Sequence, residues 1–184
     1  VAASGRKTKI ARIVAMGGDL FSAAAPDSVM VTFADEIDAS RGDILCHPTT
    51  RPNVADQFAA HLIWMSDDSL LPGRSYLIKI NGRSLAASVT DIKHKLDVDT
   101  GAKSAAKTLS LNEIGFCNVA TAAPVAFDSY DENRTTGAFI LIDRFSNATA
   151  AAGIISFPLR RATNIHLQEQ SVSKATRARL KHQT

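Results

Sequence analysis

Apolar and polar positions alternate with a period of two along much of this chain, most clearly from Asp56 to Ile92. That stretch holds three apolar runs, AHLIWM, SYLIKI and SLAASVTDI, separated by two polar turns. Successive side chains of a strand point to opposite faces. Tyr76, Ile78 and Ile80 therefore share one face, and Ser75, Leu77 and Lys79 the other. Asn81-Gly82 joins the second run to the third. Both central residues of a type I′ turn need positive φ, which Asn and Gly adopt cheaply, so the spacing predicts a tight hairpin. Leu70-Leu71-Pro72-Gly73 closes the preceding loop, because Pro cannot donate to a ladder and Gly permits the bend. The pattern predicts a β-meander that opens a barrel, with no catalytic group visible in it.

Upstream, Ser4-Gly5-Arg6 reads as a turn, and strands are expected at 9–16, 28–34 and 43–46. The acidic connection DEIDASRGD leads into the third, and His47-Pro48 ends it. Three strands cannot close a barrel. Their partners lie either in the second region or before residue 1. Pro52 and Asn53 mark the best boundary, within 49–54. The chain thus divides into residues 1–50, a small strand region, and 55–158, a second region. Within the latter, 93–108 is a polar connection with a helical turn or two at 102–107. Strands follow at 116–122, 124–127, 138–143 and 148–157. AFILID (138–143) shows little alternation, as expected of a strand buried on both sides. About six strands without a long amphipathic helix fit a closed barrel, which removes exposed edges. Residues 159–184 form a basic linker, with a helix over 171–182 capped by Ser173. The fold class is all-β.

An apolar share of 45% in 184 residues supports a real core. The formal net charge is +3, but it is unevenly placed. Residues 160–184 carry six Lys/Arg against Glu169 alone, a local +5, leaving 15 basic and 17 acidic residues in the body. A near-neutral body argues against nucleic acid as a partner. Cys46 and Cys117 match no ligand or redox spacing and point to a reduced, cytoplasmic protein. No signal peptide is present, and no apolar run approaches the ~20 residues that span a bilayer. The first residue is Val, which suggests a chain cut from something longer.

Chemistry is sparse. A phosphate-cradling P-loop needs Gly followed by Lys, and no Gly here is. The γ-phosphate and guanine motifs of GTPases are missing too. Cys46-His47 is half of a metal pair without a second half, and a plain strand end explains it better. Lys93, His94 and Lys95, with Asp97 and Asp99 behind them, form either a binding loop or a solvated charged one. Asp35, Glu36, Asp38 and Arg41 either face a neighbouring domain or form a turn held by local Asp and Ser hydrogen bonds. Trp64 reads as core rather than as a stacking platform. No catalytic, cofactor-binding or metal-binding residue is assigned.

Several stretches together resemble the large subunit of sulfate adenylyltransferase, the GTPase-type subunit known as CysN or, in rhizobia, NodQ. They are RIVAMGGDL (12–20), VTFADEIDASRGDIL (31–45), DQFAAHLIWMSDDSLLPGRSYLIKI (56–80), LNEIGFCNV (111–119), APVAFDSYDENRTTGAFILIDRFSNATAAAGII (123–155) and RRATNIH (160–166). WMSDDSLLPGRSY and TGAFILIDRFSNAT are the most specific. The resemblance implies translation-factor-like β-barrels. Residues 1–50 would be a remnant of a barrel like domain 2 of elongation factor Tu, and 55–158 a six-stranded barrel like its domain 3. It also implies a GTPase domain, with GTP and Mg, upstream of this chain, and a small ATP-sulfurylase subunit of the CysD type as partner. In that family GTP hydrolysis drives ATP and sulfate to adenosine 5′-phosphosulfate and pyrophosphate. The tail resembles the linker to an adenylylsulfate kinase domain, which implies a bifunctional parent. Asp35, Glu36, Arg41, Lys93, His94 and Lys95 are the expected interdomain or partner contacts. The competing reading is a tRNA- or ribosome-binding barrel of a translation-factor GTPase.

Overall fold

The computed structural model describes residues 1–159. Its strands are β1 (Ile10–Ala15), β2 (Gly18–Leu20), β3 (Met30–Phe33), β4 (Asn53–Trp64), β5 (Ser75–Ile80), β6 (Arg83–Leu96), β7 (Lys103–Ser104), β8 (Ile114–Phe127), β9 (Ala138–Ile142) and β10 (Thr149–Pro158). No helix occurs among the described residues. A small antiparallel sheet has the order β2-β1-β3. The large one runs β5-β9-β10-β4-β8-β6-β7, and β5 also pairs with β6. That last pairing closes six strands into a barrel, leaving β7 as a two-residue addition.

The hairpin that completes the ring is the one expected at Asn81-Gly82. Both residues have positive φ, 47° and 75°, and Ile80 faces Arg83 across a two-residue turn. The Asn81 side chain also donates to the carbonyls of Ala126 (2.9 Å) and Thr136 (3.2 Å), tying the tip to the end of β8 and the next loop.

Alternate residues fill the interior. Phe58, Leu62, Trp64, Tyr76, Ile78, Val89, Val119, Phe127 and Leu141 are buried. Phe58 meets Phe127 and Phe139 edge-on, with centroids 5.1 and 5.4 Å apart, and Trp64 meets Tyr76 at 5.7 Å. Such geometry suits the quadrupoles of the rings. Trp64 is core as expected, and its indole N–H donates to the Asp68 carbonyl at 2.7 Å.

Several expectations need correction. Residues 43–46 are not a strand. The Ser40 N–H donates to the Asp43 carboxylate and the Asp43 N–H to the Ser40 carbonyl, a local turn that competes with a ladder. Residues 93–96 are not a loop, because β6 runs on to Leu96. Register shifts between Val89 and Asp91 and between Ile92 and His94 break its alternation and hide it from a period-two reading. Residues 102–107 form no helix but carry β7. The two strands expected over 116–127 are one, β8, whose ladder with β4 shifts register between Ala55 and Gln57. Pro124 falls in that irregular part, where no ladder donor is needed. The strand at 138–142 is buried on one side only: Phe139 and Leu141 point inward, while Ala138, Ile140 and Ile142 are partly exposed. The helix expected at 171–182 lies outside the described residues.

Candidate functional site

A closed barrel buries one face of each strand, and the outer face of an antiparallel sheet is ordinarily polar. Here two adjacent cross-strand rows on the outside are largely apolar. In one, Leu96 faces Ile114, Ile114 faces Ile63, Ile63 faces Ala152, Ala152 faces Ile140, and Ile140 faces Lys79. In the other, His94 faces Phe116, Phe116 faces His61, His61 faces Ile154, and Ile154 faces Ala138. Ile63, Ile154 and Phe157 are 46%, 39% and 49% exposed, respectively, although they lie side by side on the sheet. With Tyr130 and Phe139, residues of the first row and Ile154 line an open, mainly apolar hollow of about 820 Å³, a candidate interaction surface.

Rings gather in the second row. Phe116 lies 4.7 Å from the His61 ring, 5.4 Å from His94 and 6.1 Å from Phe157, centroid to centroid. Burial pushes the His61 pKa down, and the fields of His94 and Lys103 push it further, with Asp131 opposing. His61 is therefore held toward its neutral form. Its Nδ1 lies 3.4 Å from the Ser156 hydroxyl.

The residues expected to make contacts fall in two places. Asp35, Glu36 and Arg41 lie on the connection after β3 and are exposed. The Asp35 carboxylate accepts from the Thr8 hydroxyl at 2.8 Å, and the Asp35 N–H donates back to it at 3.3 Å. Arg41 precedes Gly42, which packs against the Arg83 side chain and beside Gly82 at the barrel hairpin. Lys93, His94 and Lys95 lie on β6. Lys93 pairs with Asp91 at 2.7 Å, and Lys95 with Glu113 at 2.6 Å. The Lys95 ammonium and the Ser110 N–H hold the Glu113 carboxyl below its ordinary value. Only His94 joins the apolar face.

Sequence reasoning missed Ile63, Phe116, Ile154 and Phe157. One signal was available: β9 lacks polar alternation although a barrel strand needs only one buried face.

A second cleft, about 620 Å³, lies beside the amino-terminal turn and is lined by Arg6, Lys7, Cys46, His47 and Arg51. Its cations are partly committed, since the Arg51 guanidinium donates twice to the Ala2 carbonyl, at 2.6 and 3.0 Å. His47 Nδ1 lies 2.7 Å from the Thr49 hydroxyl. Among the described residues, no three His, Cys, Asp or Glu side chains converge as a metal-ligand set. No helix there is long and apolar enough to cross a membrane.

Comparison with known proteins gives this architecture a family. The chain is 51% identical over 183 residues to the bifunctional enzyme NodQ of Rhizobium sp. (strain N33), covering 100% of this chain and 28% of that protein. It is 45% identical over 181 residues to the bifunctional enzyme CysN/CysC of Xylella fastidiosa, 98% of this chain and 29% of that one. Sulfate adenylyltransferase subunit 1 of Shewanella woodyi is 42% identical over 164 residues, 89% of this chain and 35% of that subunit. The chain thus spans about a third or less of the curated relatives it matches. In fold it is similar to the crystal structure of Sup35 complexed with GDP, with a TM-score of 0.68 at 19% identity over 83% of this chain and 38% of that one. Residues 57–156, which take in nearly the whole barrel, match the family described as GTP-eEF1A C-terminal domain-like, and the chain belongs to that family.

Proposed function

We propose that this chain is the non-catalytic barrel portion of a GTP-dependent sulfate adenylyltransferase large subunit. The observation that carries the reading is 51% identity to NodQ along the whole chain, in a six-stranded barrel whose outer face offers apolar contact. The parent couples GTP hydrolysis to the conversion of ATP and sulfate into adenosine 5′-phosphosulfate and pyrophosphate, in the cytoplasm. GTP and Mg are held by a GTPase domain outside this chain, and ATP by a small CysD-type subunit. An adenylylsulfate kinase domain belongs to the same polypeptide, as the bifunctional naming of NodQ and CysN/CysC supports.

The role assigned to the barrel is mechanical. Switch loops in a GTPase change with nucleotide state, and a rigid body packed beside them passes the change on as a rotation. A ring of six paired strands is rigid enough for that. Asp35, Glu36 and Arg41 on one segment, and Lys93, His94 and Lys95 on β6, are the proposed contacts to the GTPase domain or the small subunit. Their charge density beside apolar strands motivates the assignment.

The test is sulfate-dependent pyrophosphate release by the full-length polypeptide with its small subunit, with and without GTP. The expected result is stimulation by GTP that disappears when residues 53–158 are deleted while GTP hydrolysis persists. Unchanged stimulation without the barrel overturns the mechanical role, and absence of sulfate-dependent release overturns the assignment itself. Charge reversal at Asp35, Glu36, Lys93 and Lys95 is expected to weaken subunit assembly, and wild-type assembly removes these residues from the interface.

A further inference from the structure

We infer that the outer face centred on Phe116 docks a folded polypeptide surface that is itself apolar and is rimmed by carboxylates. The inference stands independently of sulfate chemistry. Ile63 and Ile154, 46% and 39% exposed on neighbouring strands, line a wide hollow of about 820 Å³ with Ile114 and Ile140, open to solvent and continuous with the exposed ring of Phe157, so that a protruding apolar surface can seat in it. Charge at its margins selects the occupant. Lys79 ends one row, and Lys103 pairs with Leu96 at the other end. Neither ammonium lies within ion-pair distance of a carboxylate among the described residues. Lys95 is neutralised by Glu113, and Asp131 is the carboxylate whose field reaches His61.

Two occupants close at hand fit poorly. A second copy would set cations against cations. The chain's own residues 160–184 carry six Lys/Arg against Glu169 alone, so they meet the same repulsion. A nucleic acid satisfies the cations, but its bases would stack on the rings of Phe116 and Phe157 and leave the isoleucines of the other row uncovered. An apolar polypeptide face edged by Asp or Glu satisfies both features at once.

The experiment is a nuclear magnetic resonance titration of the ¹⁵N-labelled 184-residue chain at neutral pH with two synthetic amphipathic peptides. They share a Leu face and differ in carrying Glu or Lys opposite it. The Glu peptide is expected to shift the amides of Ile63, Phe116 and Ile154 saturably, and to bind about tenfold more tightly than the Lys peptide. Ile154→Asp is expected to abolish that binding. A Lys79→Glu, Lys103→Glu variant, altered only at exposed positions, is expected to reverse the preference and keeps the test decisive if Ile154→Asp does not fold. Equal affinity for the two peptides, or no binding, overturns the inference. So does dimerisation through these residues, or the same shifts on adding oligothymidylate.

Discussion

Gly153 lies against Leu62 and the ring of Phe139 inside the barrel, and the space a methyl group would need is already taken. A Cβ at position 153 would come within 2.7 Å of Leu62 Cδ2, closer than such atoms approach in real proteins. Gly153→Ala is therefore expected to destabilise the fold by about 1–3 kcal/mol, although alanine ordinarily suits a strand better than glycine. Urea unfolding checks this: the midpoint falls with an unchanged slope. An unchanged midpoint would mean that β9 and β10 shift to accept the methyl.

The hairpin tip separates two contributions of one residue. Asn81 adopts positive φ and also donates to the carbonyls of Ala126 and Thr136. Asn81→Gly keeps the backbone and removes the donors, at an expected cost of about 1–2 kcal/mol. Asn81→Val also meets the left-handed backbone with a β-branched side chain and is expected to cost more. If the two variants unfold at the same urea concentration, the turn geometry contributes nothing beyond the hydrogen bonds.

His61, one of the two histidines on the outer face, gives the fold an acid-side weakness. Burial and nearby cations hold the folded-state pKa of His61 below the ordinary 6.5. Well above that value both states are neutral there, and the group has no effect. As pH falls through it, the unfolded chain takes up the proton first, so stability is lost until the folded pKa is passed. His61→Gln is expected to flatten this part of the profile. Urea midpoints from neutral to mildly acid pH measure it, and an unaltered profile would assign the acid sensitivity elsewhere.

Thiol chemistry reports the integrity of the barrel. Burial pushes the Cys117 pKa up to about 12, and its side chain is enclosed in the core, whereas Cys46 is only half-buried. Iodoacetamide at mildly alkaline pH is expected to label Cys46 in the folded chain, and Cys117 only once the barrel opens. Peptide mass spectrometry distinguishes the two sites. Labelling of Cys117 at the rate of Cys46 would show that β8 is not held closed.

Local chemistry made part of this molecule readable from its letters. β5 and its turn follow from strict alternation and from Asn-Gly, whose backbone preference needs no tertiary help. Trp64 could be placed because large aromatic side chains seek the core. Resemblance supplied what periodicity could not, namely the kind of barrel and the family. The misreadings share a cause. Lys93-His94-Lys95 looks like loop because two bulges scramble the side on which each residue falls. Residues 43–46 look like strand because Ile44 and Leu45 are apolar, yet hydrogen bonds of Ser40 and Asp43 turn the backbone first. The outer face is hidden from the sequence because AFILID lacks polar alternation and so reads as buried on both sides. One of those sides is the core, and the other is the surface inferred above to meet a partner.

Ring closure has a consequence for where this chain is vulnerable. With β5 joined to β6, no long ladder in the barrel ends in unpaired amides, so foreign strands find nothing there to extend. Among the described residues, no further strand pairs with the borders of the small sheet, β2 and β3, and Leu20 and Met30 are exposed along them. Strand addition, fibril seeding and proteolytic nicking should accordingly begin within residues 10–33, and limited digestion that cut first between 53 and 158 would contradict this.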